Sequence, residues 1–183
     1  MNIHQFAAMT LIMPWVRIAG LIAYSWAQAV GILVAQMLGR NHTPDALNEF
    51  LTRAQRGVVF LSVIVTIAYV AIIFSTQVIY ADLDGETRAA LFSFLPVLMV
   101  ITFPRGLNSV CGNVLRAAGD THYCMRIHVA VQWFVLVPVT ALFVLVLGLP
   151  AAWVFGVHLL DEMAKFIPFH RRVATGIWHR MQA

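Results

Sequence analysis

Residues Gly57–Ala81 read GVVFLSVIVTIAYVAIIFSTQVIYA, without one formal charge. The run lacks the strict apolar/polar alternation of a half-buried strand. About 20 apolar residues in helical form cross the hydrocarbon of a bilayer, and this run is that long. It is read as a membrane-crossing helix, and its neighbours repeat it. Between Met1 and Gly39 the one formal charge is Arg17; between Arg88 and Arg116 it is Arg105; from Ile127 to Leu160 there is none. Continuous apolar stretches of this kind are not the short alternating segments of an outer-membrane barrel. Composition agrees: of 183 residues, 61% are apolar and 11% charged, and mean hydropathy is +0.81. A soluble domain carries roughly a quarter charged residues, so this chain cannot build a soluble surface. It is too apolar for disorder, and 11 Gly and 2 Cys exclude collagen and a disulfide scaffold.

The pattern predicts an all-α, polytopic transmembrane bundle of about five helices, at 5–38, 45–80, 86–117, 123–147 and 151–167, with a basic tail at 168–183. Gly39 is read as the stop of the first helix and Pro44 as part of the first turn of the second. Residues 46–56 read as an amphipathic, interfacial stretch, and Asp82-Leu83-Asp84-Gly85 and Gly148-Leu149-Pro150 as turns. Pro14, Pro96, Pro104 and Pro138 sit inside helices, which membrane proteins tolerate where neighbours satisfy the freed backbone groups. Pro168 is read as the limit of the fifth helix.

Charge sets the expected orientation. Arg40, Arg53, Arg56, Arg116, Arg126, Lys165, Arg171, Arg172 and Arg180 fall at alternate helix ends, on one side. Arg88 stands on the other, beside Asp82, Asp84 and Glu86. By the positive-inside rule the basic side and the C-terminus are cytoplasmic. Five crossings put the N-terminus outside, with no basic n-region or cleavage site before it. The expectation is that residues upstream of this chain are missing.

Three motifs carry a resemblance. Gly31-Ile-Leu-Val-Ala-Gln36-Met-Leu-Gly39 precedes a polar loop. Leu115-Arg116-Ala-Ala-Gly119-Asp120-Thr121 is followed by Trp133. Leu160-Asp161-Glu162 is followed by a basic end and Gly176-Ile177-Trp178. In this order they resemble the multidrug and toxic compound extrusion (MATE) transporters. The resemblance implies helices eight to twelve, the larger part of the second bundle of a transporter with two six-helix bundles. It implies export of cationic, amphipathic drugs against an inward flow of H+ or Na+ through the inner (plasma) membrane, with the first bundle as missing partner. A lipid-linked saccharide flippase of the same superfamily is the nearest variant. A truncated, non-transporting remnant or membrane subunit is the other alternative.

Ionisable groups inside a bilayer are costly and are functional candidates for that reason. Asp161 and Glu162, with His158 a turn earlier, are candidates for proton or cation coupling, because burial would favour carboxylate protonation. The competing reading is an interfacial ion pair with Lys165. A metal site of His158 with the two acids lacks supporting ligands. Arg17, Gln28, Arg105 and Asn108 are candidates for lining a cavity, with Arg105 alternatively pairing with an acid across the bundle. No acid lies between Arg88 and Asp120, where coupled relatives often carry one in the tenth helix. Gln36, Gly39, Arg116, Gly119, Asp120, Thr121 and Trp133 are read as structural, with Asp120 capping the fourth helix and pairing with Arg116. Cys111 and Cys124 are read as small buried apolar residues. No nucleotide-binding loop and no catalytic set is found, so neither an enzyme nor a cofactor is expected. The bases read as topology determinants and contacts to anionic lipid headgroups, not as a nucleic-acid surface.

Overall fold

A computed structural model of the chain describes residues 3–79, 84–149 and 151–179. The expected turn at Asp82 and Leu83, the end of the Pro150 loop and Arg180 in the tail lie outside the described residues. Every regular element among the described residues is helical: α1 (Ile3–Gly39), α2 (Pro44–Ile79), α3 (Gly85–Ala117), α4 (Thr121–Val146) and α5 (Ala151–Ala174), followed by a 3-10 turn at Ile177–His179. The first four are long and apolar enough to cross a membrane. α5 falls short because Asp161, Glu162, Lys165, Arg171 and Arg172 lie along it.

α3 is the centre of the bundle, packed against α1, α2 and α5. Close approach is written into its glycines. A Cβ on Gly31 of α1 would stand 3.1 Å from the Asn113 Cβ of α3, and one on Gly106 of α3 would stand 2.9 Å from both Val58 and Ser62 of α2. Small residues at such contacts let membrane helices gain dispersion contacts that lipid would otherwise take.

Two apolar clusters are stacked along the bundle. One joins Ala27, Val34, Leu47, Val58, Val110, Leu115, Cys124 and Phe169 at the basic end. The other joins Ile12, Val16, Val65, Tyr69, Phe94 and Leu98 toward the far end. Between them, where α3 runs from Leu98 to Val110, lies a polar layer. The Ser62 hydroxyl donates to the Val58 and Thr102 carbonyls at 2.8 and 3.1 Å. Thr66 and Thr102 both donate to the Met99 carbonyl and lie 2.9 Å from each other. These hydroxyls crowd the turn before Pro104, where a missing N–H loosens the backbone ladder. A similar tie holds α1 past Pro14: Tyr69 donates to the Val16 carbonyl at 3.1 Å.

Two expectations are corrected. Gly39 is the last helical residue of α1, and the left-handed position belongs to Asn41 (φ 55°). Asn41 and His42 N–H groups return to the Leu38 and Met37 carbonyls, closing a Schellman turn. The fifth helix does not stop at Pro168 but runs to Ala174. Phe169 and Val173 are buried beyond the proline, and that burial holds the helix together. The amphipathic stretch 46–56 is the first part of α2, which is unbroken from Pro44 to Ile79. α4 absorbs Pro138 by winding as π-helix at Gln132–Leu136 and Leu142–Val146, on either side of it.

Candidate functional site

The sequence motif 115–121 builds the turn from α3 to α4. Gly119 takes φ 93°, and the Gly119 and Asp120 N–H groups return to the Arg116 and Leu115 carbonyls, a second Schellman turn. Only glycine reaches this conformation without Cβ strain. Asp120 does not cap α4 with its side chain, and its partner is Arg172 rather than Arg116. Arg172 Nε donates to Asp120 Oδ2 at 2.7 Å, and the guanidinium lies over the Tyr123 ring at 4.9 Å. The hydrogen bond to Asp120 holds the Arg172 pKa above its ordinary value. Asp120 bends toward Arg172 because the end of α5 packs under this turn. Tyr123 donates to the Pro168 carbonyl there at 3.0 Å. Trp178 then inserts, fully buried, and donates to the Val173 carbonyl.

The polar layer continues onto α5 as an ion-pair cluster. Lys165 Nζ donates to Asp161 Oδ2 at 2.6 Å and stands 3.6 Å from Glu162 Oε1. Arg105 Nε donates to Glu162 Oε1 from α3 at 3.3 Å. Asn108 Nδ2 donates to both the Glu162 carbonyl, at 2.7 Å, and its Oε2, at 3.1 Å. The Glu162 side chain keeps 11% of its surface exposed, while Arg105 keeps 39%. Lys165 on α5 itself and Arg105 from α3 therefore share one carboxylate. Asn108 Oδ1 is buried beside it without a hydrogen-bond partner among the described residues.

The exposed side of α1, α3 and α5 forms a wall with adjoining hollows. The first, of about 490 Å³, is lined by Arg17, Arg105, His158 and apolar groups including Met13, Leu21 and Leu98. A second, of about 520 Å³, is lined by Gln28, Asn113 and Arg116 among others. A third, of about 240 Å³, lies between Asn108, Arg116, His128, Glu162 and Lys165. Arg17, Gln28, Arg105, Asn108 and His158 thus face one wall; Asp161 lines none of these hollows. Tyr24 lines the first and third and was missed in the sequence. Its signal was its place seven residues after Arg17 and four before Gln28, on one helix face. Gln36, Thr121 and Trp133 are exposed. Cys111 and Cys124 are free and buried.

Another convergence also escaped the sequence. His4 Nδ1 stands 3.1 Å from Asp84 and His4 Nε2 3.5 Å from Glu86, a group of metal-ligand type at the far end. Both imidazole nitrogens already face a carboxylate, so the three residues satisfy one another.

Residues 3–142 match the MatE family model. Over 107 residues the chain is 30% identical to "Uncharacterized transporter YisQ" of Bacillus subtilis (strain 168), a stretch covering 58% of this chain. The chain spans about a quarter (24%) of the length of this curated relative. No solved structure matches it.

Proposed function

The chain belongs to the MatE family of transporters, and from this premise we propose that its five helices are helices eight to twelve of a secondary active antiporter. In this reading the wall of α1, α3 and α5 faces a second helical bundle across a substrate path in the membrane. H+ or Na+ moving inward drives an amphipathic substrate outward. Cationic drugs are the substrate that the family resemblance implies. A lipid-linked saccharide is the second reading, favoured by the exposed bases Arg17 and Arg116 on the wall.

The observation that carries the proposal is the Glu162 cluster. A buried carboxylate shared by two cations from two helices is a two-state element. A proton on Glu162, or Na+ taken between its carboxylate and the orphaned Asn108 Oδ1, weakens the Arg105 bond that ties α3 to α5. Carboxylate and amide oxygens are the donors that a hard cation takes. Freed, the Arg105 guanidinium turns toward the hollow it already lines. Ion uptake and the charge of the substrate wall are thereby linked, and a ligand that prefers one state shifts the other. Asp161 stays with Lys165 and supplies the compensating charge.

The test is gradient-driven export from an efflux-deficient bacterial strain, with the chain expressed alone and together with its upstream coding sequence. Glu162→Gln imitates the protonated acid, and it is expected to abolish gradient-driven export at normal expression. Asp161→Asn is expected to weaken it less. Full export by Glu162→Gln removes this carboxylate from coupling. Absence of export in every form, with the protein present in the membrane, removes the antiporter reading in favour of a non-transporting remnant or subunit.

A further inference from the structure

The largest concentration of charge on the wall is basic, and its distribution selects a substrate class. The hollow between α1, α3 and α5 has apolar sides from Met13, Leu21, Leu98 and Ile101. It receives Arg17, Arg105 and His158, and no carboxylate of the described residues lines it. Further along the wall Arg116 and Lys165 add to the same sign. The acids within reach are already used: Glu162 is held by Arg105 and Lys165, and Asp161 by Lys165. Arg17 and Arg116 make no ion pair among the described residues. Arg105 spends its Nε on Glu162 and keeps 39% of its side chain open.

A guanidinium at membrane depth without counter-charge, as at Arg17 among the described residues, is costly, and a bound anion recovers that cost. A cationic amphiphile in the same hollow would meet two arginines and no acid of the described residues. Resting on the transporter reading, we propose that this hollow takes the anionic head, a phosphate or carboxylate, of an amphipathic substrate between Arg17 and Arg105. Its apolar body lies against Met13, Leu21 and Leu98. The guanidinium fork suits such a head because it donates two parallel hydrogen bonds to it. Release of Arg105 from Glu162 would strengthen the grip, so ion uptake and anion binding favour the same state.

Dodecyl phosphate and dodecyltrimethylammonium share a chain and differ in the sign of the head. The purified protein in dodecyl maltoside is titrated with each, and thermal unfolding is followed. Dodecyl phosphate is expected to stabilise saturably and the ammonium not to. Arg17→Gln should weaken the phosphate about tenfold or more, the loss of a charge-assisted bond. Arg53→Gln, at an exposed pair with Glu49 far from the hollow, should leave it unchanged. Arg17→Glu should reverse the preference, a gain that no loss of folding can imitate. Repetition in nanodiscs with phosphatidylglycerol, against phosphatidylcholine, separates the sources. Competition by the anionic lipid assigns the head to a bilayer lipid; undiminished binding assigns it to a free amphiphile. Equal response to both heads, or phosphate binding that survives Arg17→Gln and Arg17→Glu, overturns the inference. Gradient-driven export of a cationic dye by a protein that ignores dodecyl phosphate overturns it while leaving the transporter reading intact. Anion binding without transport of any probe does the reverse.

Discussion

At the scale of single residues, Glu162 is the side chain on which most of the polar structure depends. It accepts from Arg105 and Asn108 with the Lys165 ammonium 3.6 Å away, which is how an anion between two apolar clusters remains affordable. Breaking a buried pair by removing one partner costs about 3–5 kcal/mol, because the other charge stays behind. Glu162→Gln keeps the Asn108 bonds, so its expected cost is at the lower end, about 3 kcal/mol. Arg105→Gln leaves Glu162 with Lys165 and costs less. The double variant should lose less than the two single losses together. Thermal unfolding of the four proteins in one detergent measures this coupling. Strict additivity would mean that Arg105 and Glu162 do not act on each other. Arg105 pairing across the bundle was readable in the sequence as one of its alternatives, since an isolated base at mid-membrane needs an answering acid. Asp120 shows the limit of such reading. Arg116, four residues away, was the near candidate, whereas the true partner lies 52 positions along the chain. Only the packing of α5 under the turn brings Arg172 there.

At the scale of elements, two glycines in the recognised motifs turn out to do different work. Gly119 sits at φ 93°, where an alanine pays about 1–2 kcal/mol for its Cβ. Gly39 is ordinary helix with nothing within 4 Å of an added Cβ. Gly39→Ala should therefore be neutral or stabilising by up to about 1 kcal/mol, and Gly119→Ala clearly destabilising. Opposite signs of the melting-temperature change in these two variants are the expected result; equal losses would place a backbone constraint on Gly39 as well. Helix number and extents were legible because uncharged runs, prolines and glycines punctuate the chain. The continuation of α5 through Pro168 was not. A proline announces a stop locally, and the burial of Phe169 and Val173 that overrules it is a tertiary fact. The convergence of His4 with Asp84 and Glu86 is a fact of the same kind, since the pairing of helix ends is not written in either end.

At the scale of the whole molecule, the apolar clusters, the polar layer between them and the basic end divide the bundle along its length. The described bases of the basic end gather around the Schellman turns of α1 and α3 and the end of α5. The expected orientation puts that end in the cytoplasm. Thr43, in the turn before α2, and Gly85, at the start of α3, are both exposed, and both native cysteines are buried. Thr43→Cys should react with a membrane-impermeant thiol reagent in inverted vesicles and not in intact cells. Gly85→Cys should do the opposite. The reverse pattern would turn the bundle over and place the His4 cluster in the cytoplasm.

The π-wound stretches on either side of Pro138 have a consequence for any such scan carried along α4. Accessibility along a regular helix rises and falls as a wave. Each widened turn holds the wave back, so its phase slips near 132 and again near 142. A residue after Leu142 does not share an azimuth with the residue that a straight-helix template would assign it. A scan of α4 therefore has to be read as separate wave trains, with each offset marking where the backbone made room for one proline.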